Sequence, residues 1–578
     1  MPAWLRHYRW REDGWPDALA ALLVTAMLIP QALSYALLAG MPLETGLYAS
    51  ILPPVAYALF GSSRSLSVGP MAVTSLMTAN IIHAANLQLG IPPVQAATLY
   101  ALLSGLFLLL LGILRFGFVA KLISTPVLAG FNNASVLVIV LPQLWLLADA
   151  APWAPLHTAA NVWRGPALWI GLGALLTLWL GRHYLPRWLQ GGLSTQSAQQ
   201  WSKATPLLLV AISILAASAG WLPASVHRVG FIPQGLPDWH WPLLSWHTWQ
   251  FFVLPAALMA LVIYVNAIAV GQALAQRHGD TINPNQELLG LGSANVAAAF
   301  SGGFPVTGGM SRSAVNDDAG ARSQMASLFT AALMAAAALW LAPLFAHLPK
   351  TILAAIIIAS VGGMFQAAIF RQLWQYSRGE WGVMMATFLT ALLWRVDLGI
   401  AVGMLASFAL LISRSAKPHL AEIGRLPDCE SFRNIHHFEV ITWPHILSLR
   451  IDAGLQFFNH DYICTSVLQR LQAQPGIRHV VLQCHGINTV DYSGARALLQ
   501  LRLQLAAQGI GLTLSEVKIP VKRQLERLSP PANWHQSLFL THHQAIQTIL
   551  ASDPMPANPP ATCPTGTHSG ITNIEQRR

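Results

Sequence analysis

The sequence predicts a polytopic α-helical membrane protein with a small α/β domain at its C-terminal end. Three observations predict it. The 578 residues are 54% hydrophobic and only 10% charged, with a mean hydropathy of +0.49, whereas soluble domains average about 25% charged residues. The charges fall between apolar runs, and no Asp, Glu, Lys or Arg occurs from Ser65 to Leu114. From Lys417 onward the composition turns soluble.

A helix needs about 20 mostly apolar residues to cross a bilayer. In chain order the candidate spans are residues 17–39, 45–60, 69–85, 93–114, 119–141, 166–180 and 206–222 in a first group. A second group comprises 251–275, 286–301, 307–320, 324–346, 352–364, 381–394 and 398–413. That makes about fourteen, several too short to cross alone. The first run contains Pro30-Gln31 and merges into the next motif, so it reads as a membrane helix rather than a cleaved leader.

Residues 1–16 are basic and read as a cytoplasmic segment, and 17–416 as the membrane domain. The positive-inside rule then places the basic stretches 115–121, 182–203, 277–278 and 371–378 inside. The link 226–249, with Arg228 as its one strong base, falls outside. The soluble part, 417–551, is expected in the cytoplasm, and the inner (plasma) membrane is the expected location.

In that soluble part, 446–449, 480–482 and 512–514 read as strands, and 461–472 and 493–507 as amphipathic helices. Strands alternating with helices predict a small α/β domain. Residues 552–578, rich in Pro, Thr and Ser, read as a disordered tail.

Several functions are excluded. The charge of +10, from 33 basic and 23 acidic residues, follows from basic loops and does not indicate nucleic acid. Cys429, Cys464, Cys484 and Cys563 lack metal or disulfide spacing. No nucleotide motif, catalytic triad or zinc site is present, so neither a cofactor nor a metal nor an enzymatic activity is expected.

Two breaks carry the functional signal. Residues 42–76 pack Gly, Pro, Ser and Thr into an apolar region. Irregular backbone at membrane depth survives only against protein or a water-filled cavity, and such interruptions point to a transporter's substrate site. Ser67-Val68-Gly69-Pro70 followed by an apolar run reads as the start of a half-helix, with Pro70 at its first position. Its free N–H groups and dipole favour an anion. The stretch SGGFPVTGGMSRS, leading into span 307–320, holds the corresponding place in the second half. The weak symmetry suggests a seven-plus-seven inverted repeat with two half-helix N-termini facing each other.

Arg312 follows the second break inside an apolar region, and an intramembrane charge marks an ion pathway by default. The competing reading pairs it with Asp317 or Asp318. Gln31 and Tyr35, four apart, share a helix face and would either donate to an oxyanion or bond neighbouring helices. Arg64 and Glu44 read as structural, anchoring a loop or capping a helix.

The segment from Pro42 resembles the signature of the SulP family of anion permeases, through Pro42, Gly46-Leu47-Tyr48, Pro53, Tyr57, Phe60-Gly61, Ser63-Arg64 and Gly69-Pro70. LIPQALSYALLAG from Leu28, STPVLAGFN from Ser124 and GGFPVTGGMSRSAVNDDAGAR from Gly302 are similar to its first, fifth and tenth helices. TVDYSGARAL from Thr489 resembles the strand-to-helix turn of a STAS domain.

The resemblance implies a core of spans 1–4 and 8–11 moving against a gate of 5–7 and 12–14, and a homodimer. It places an anion among Gln31 and Tyr35 of the first span, the backbone at Val68, Gly69 and Met71 with Thr74 behind it, and Gly308, Gly309, Ser311 and Arg312 of the tenth. Most members carry a carboxylate facing this site from the eighth span. Here that position is Asn266, so exchange or uniport is expected over proton symport, with His83 and Asp317 as other titratable groups. Sulfate is the implied default substrate; bicarbonate, a dicarboxylate or chloride stay open. Ser493 occupies the place of a phosphorylated serine in small relatives of the STAS fold, but a helix cap is the plainer reading. A cytoplasmic protein partner of this domain is a further expectation. The rival classes are a neutral nucleobase-type permease on the same fold and a transport-inactive sensor or scaffold.

Overall fold

A computed structural model of the chain describes residues 4–5, 8–149, 165–185, 187, 205–223, 225–239, 241, 246–427, 429–528 and 534–558. Most of the expected basic loop 182–203, most of the tail 552–578 and Cys563 lie outside the described residues. The chain divides into two units, Met1–Ser407 and Phe408–Arg578.

The first unit is helical. Its elements are α1 (Trp10–Leu38), α2 (Glu44–Tyr48), α3 (Leu52–Phe60), β1 (Val68–Gly69), α4 (Ala72–Leu89), α5 (Pro93–Ile113), α6 (Thr125–Leu147), α7 (Pro166–His183) and α8 (Thr205–Ser218). Then come α9 (Trp246–His278), α10 (Pro284–Phe300), β2 (Thr307–Gly308), α11 (Met310–Asp318), α12 (Met325–Ala336), α13 (Lys350–Gly362), α14 (Ala367–Tyr376) and α15 (Arg378–Leu393). The last, α16 (Val396–Ala416), contains the division between the units. Seven helical stretches among the described residues are long and apolar enough to cross a membrane.

Four expectations need correction. The first helix begins at Trp10, so the N-terminal segment 1–16 is partly helical. Span 45–60 is two short helices, α2 and α3, because Pro53 and Pro54 open a new helix where α2 ends. Span 324–346 is α-helical only to Ala336. It continues as a π turn over Ala337–Leu341 and a 3-10 turn over Ala342–His347, where Pro343 cannot donate to the ladder. The basic stretch 371–378 is mostly helix α14, not loop.

The helices pack in two groups. In one, α10 lies against α5 and α3, α9 and α4 lie against α5, and α1 lies against α11 and α12. In the other, α6 packs on α13 and α15, and α7 on α13 and α8. The α5–α10 seam is built on glycine. A Cβ on Gly105 would stand 2.8 Å from the Val296 nitrogen, and one on Gly292 would stand 2.8 Å from Leu109 Cγ. Without a hydrophobic driving force in lipid, such close backbone approach is what holds helices together.

The second unit contains a six-stranded sheet of β3 (Leu420–Arg425), β4 (Phe432–Asn434), β5 (Ile446–Ile451), β6 (His479–Gln483), β7 (Gly511–Ser515) and β8 (Leu538–Phe539), in the order β4-β3-β5-β6-β7-β8. Strands β5 to β8 are parallel, and β3 and β4 add an antiparallel edge. Helices α17 (His460–Ala473), α18 (Tyr492–Ala507) and α19 (Ile519–Leu528) connect the parallel strands. Leu447, Leu449, Leu482 and Leu514 pack under Val467, Leu498 and Leu505 on one face.

Helix α20 (His542–Ser552) covers the other face with Ile546 and Ile549 against Ile446 and Val481. It is anchored by buried His542, whose ring nitrogens meet Ser515 Oγ at 2.7 Å and Ser448 Oγ at 3.2 Å. Burial pushes the His542 imidazole down to about 4, so it is held neutral. The chain stays ordered past Ser552: Asp553 pairs with Arg478 at 3.2 Å, and the Asn558 N–H donates to the Thr442 carbonyl at 2.8 Å. The first residues of the segment 552–578 are thus tied to the sheet domain.

Ser493 is not the cap of α18. Asp491 is, with Oδ1 accepting from the Gly494 N–H at 2.8 Å and Oδ2 from the Phe457 N–H at 2.7 Å. A carboxylate outcompetes a hydroxyl at a helix N-terminus because it also meets the dipole.

Candidate functional site

The two breaks meet. Val68 pairs with Gly308 and Gly69 with Thr307 in a short antiparallel ladder, extended by the Gly309 N–H donating to the Ser67 carbonyl at 3.3 Å. Helix α4 leaves just after β1, and α11 just after β2. Antiparallel strands run opposite ways, so the two N-termini start side by side and diverge. Each brings unsatisfied N–H groups and about half a positive charge.

The ladder corrects part of the expected site. Helix α4 begins at Ala72 with Met71 as its cap in extended backbone (φ −141°), not at Pro70. Val68, Gly69 and Gly308 are strand, and the Gly309 N–H is spent on Ser67. The free donors are the first N–H groups of each helix, at Ala72–Thr74 and Met310–Arg312. The Thr74 hydroxyl donates to the Met71 carbonyl at 2.9 Å, which leaves it no proton for a ligand. Its neighbour Ser75, fully buried, has an Oγ without a partner among the described residues.

Arg312, 2% exposed, sits in the first turn of α11. Helical side chains lean toward the N-terminus, so its guanidinium lies back over the ladder. Nη1 donates to the Pro70 carbonyl at 2.5 Å, Nη2 stands 3.5 Å from the Thr307 carbonyl, and Nε has no partner among the described residues. The space is made by glycines: a Cβ on Gly69 would stand 3.4 Å from Nη2, and one on Gly309 would stand 3.2 Å from it.

The expected rival partners of Arg312 are engaged elsewhere. Asp317 accepts from His278 Nε2 at 2.7 Å and from Ser65 Oγ at 2.9 Å, and Asp318 lies 3.6 Å from Arg277. Among the described residues Arg312 makes no ion pair. A buried charge held only by backbone carbonyls is far short of compensated, and the deficit is negative charge.

The other expected residues surround this point. On α1, Tyr35 is buried and lies within electrostatic reach of Arg312. Gln31, one turn earlier and 4% exposed, makes no hydrogen bond among the described residues. Pro30 beside it removes a donor from the α1 ladder. On α9, Thr307 Oγ1 donates to the Ile263 carbonyl at 2.9 Å, which docks β2 one turn before Asn266. Asn266 is half-buried and donates Nδ2 to the Val262 carbonyl at 3.0 Å. Met310 and Ser311 are exposed.

Sequence reasoning missed the frame that holds the first break. Glu287 of α10, fully buried, accepts from Tyr57 Oη (2.8 Å), the Ser62 N–H (2.9 Å), Ser62 Oγ (2.7 Å) and the Ser63 N–H (2.9 Å). Gln324 Nε2 donates to the Ser63 carbonyl at 2.6 Å and Asn316 Nδ2 to the Ser65 carbonyl at 3.1 Å. Asn295 does the same for the second break, bonding both the Val306 N–H and its carbonyl. The signal was available: a carboxylate just inside an apolar span is costly and demands a reason. Arg64, read as structural, pairs with Asp280 at 2.9 Å.

Comparison with known proteins agrees with this architecture. The model of the sulfate permease family matches residues 15–387, and that of the STAS domain matches residues 437–545. The chain is 32% identical over 576 residues to sulfate transporter 4.1, chloroplastic, of Arabidopsis thaliana, covering 95% of this chain and 82% of that protein. A protein of Mycobacterium tuberculosis described as a probable sulfate transporter is 33% identical over 554 residues, covering 92% of this chain and 95% of its own. The murine solute carrier 26 family member A9 anion transporter, solved in the inward-facing state, superposes with a TM-score of 0.86. It is 23% identical, covering 95% of this chain and 93% of its own, and supports the fold. The chain belongs to the sulfate permease family and carries a C-terminal STAS domain.

Proposed function

We propose that the chain is a secondary-active anion transporter whose substrate binds at the junction of α4 and α11. The observation that carries this reading is Arg312: a buried guanidinium between two adjoining helix N-termini, with no acidic partner among the described residues. A small anion supplies the missing charge, and Gln31, Ser311 and Asn266 offer side-chain donors around it. A neutral nucleobase would leave the arginine uncompensated. Sulfate is the first candidate, because the relatives are named sulfate transporters; bicarbonate, a dicarboxylate and chloride are the others.

In the proposed cycle the group built on α5 and α10 moves against the group built on α6 and α13 and exposes the site to each side in turn. Asn266 carries no proton, so exchange or uniport is favoured over proton symport. The protein would lie in the inner membrane as a dimer, with its N-terminus and STAS domain in the cytoplasm. Anion flux into proteoliposomes, with and without an imposed pH gradient, tests this. Sulfate exchange indifferent to the gradient is expected; obligatory proton-driven accumulation would refute the coupling, and absence of any anion flux would refute the reading itself.

A further inference from the structure

Helix α14 is unlike its neighbours. None of its ten residues is buried. Tyr376, Ile369, Leu373, Phe370 and Trp374 fall on one side at helical spacing, while Arg371, Gln372 and Gln375 fall on the other. A shallow groove lined by Ile369, Gln372, Leu373, Gln375 and Tyr376 runs along it. At about 1.5 Å per residue the helix is roughly 15 Å long, too short to cross a bilayer.

Its depth can be read from α7. A Cβ on Gly363, at the turn into α14, would stand 3.3 Å from Arg182 Nη1 in the last turn of α7. So α14 begins at the level where α7 ends, and loop basicity assigns that level to the cytoplasmic leaflet. Aromatic residues mark it as interface: Trp179 lies against His183 and Tyr184, and Trp374 against Trp381.

The charge at this level is mainly basic, three arginines beside one carboxylate, Glu380, in the first turn of α15. Arg378 stacks over Trp374 at 5.6 Å, and neither it nor Arg182 nor Arg371 forms an ion pair among the described residues. A second copy of the chain seated on this face about a two-fold axis would bring two net-positive faces together. An anionic lipid satisfies both halves of the helix at once. Its phosphate meets guanidinium and amide donors, and its acyl chain covers the groove between Ile369 and Tyr376.

We propose that α14, with Arg182, Arg371 and Arg378, forms a binding site for an anionic phospholipid headgroup of the cytoplasmic leaflet. The test uses the full-length protein in vesicles of phosphatidylcholine with and without phosphatidylglycerol, followed by native mass spectrometry of the extracted protein. Wild type is expected to retain phosphatidylglycerol. Losing two cationic groups near an anionic surface should weaken retention about thirtyfold in Arg371→Gln/Arg378→Gln, whereas Arg371→Lys/Arg378→Lys should keep most of it, which shows that the helix still folds. Equal retention by the Gln variant overturns the proposal. So does a change in its oligomeric state with lipid retention intact, which would make this face a subunit contact.

Discussion

Arg312 of α11 donates to the backbone carbonyl of Pro70, the residue that leads into α4. The charge carried by one half-helix is thus held by the lead-in of the other. Neither break of the sequence makes a site alone.

Removing that charge should abolish the site while sparing the fold. Arg312→Ala is expected to lose anion-selective thermal stabilisation, since a ligand stabilises only the state it binds. A thermal-shift panel of sulfate, bicarbonate, chloride and uracil reads it. Stabilisation by sulfate equal to wild type would exclude Arg312 from binding.

The glycines beneath the guanidinium are the next target. In Gly309→Ala the new Cβ would sit 3.2 Å from Nη2 and push the arginine off its seat. An increase in KM of roughly tenfold is expected, the effect of about 1.4 kcal/mol. Unchanged KM with reduced maximal flux would mean that the cost falls on motion instead.

Glu287 should matter for stability. Glu287→Gln turns one acceptor into a donor facing hydrogens that already need acceptors. Unsatisfied buried groups cost about 1–3 kcal/mol each. The melting temperature in detergent should fall clearly, and an unchanged one would show that the frame tolerates the swap.

Asn266→Asp restores an ionisable group beside the site. Sulfate uptake by this variant should become faster under an inward proton gradient, because protonation cancels a charge that opposes the anion. Uptake that stays indifferent to the gradient would place the coupling elsewhere.

In the STAS domain, His542 is depressed to about 4 by burial, so the unfolded chain binds the proton more readily. Its contribution is fully present above the ordinary histidine value of about 6.5 and drains away as pH falls toward 4. Hydrogen exchange of the β5–β7 amides in the full chain should show progressive loss of protection across that window, and His542→Leu should flatten it.

The helical membrane part and the parallel strands were legible because their signals are local. An apolar run is visible wherever it lies, and Val480–Leu482 reads as a strand without help. The half-helix breaks were legible for the same reason. What stayed hidden was pairing across the chain. That the N–H of Gly309 is spent on Ser67, or that Glu287 gathers four donors from Tyr57, Ser62 and Ser63, has no local signature. The edge strands β3 and β4 were missed because short antiparallel additions lack a long apolar run. Asp491 takes the place of Ser493 as the cap of α18 because two capping residue types stand two positions apart, and spacing alone does not rank them.

The ladder of Val68 with Gly308 and Gly69 with Thr307 also constrains how the cavity opens. Prising the two helix starts apart would break these backbone hydrogen bonds, and each buried group left unsatisfied costs about 1–3 kcal/mol. A clamshell that parts along this seam therefore runs against the fold. In the proposed cycle the stitched pair therefore travels with its helix group as one sealed cartridge.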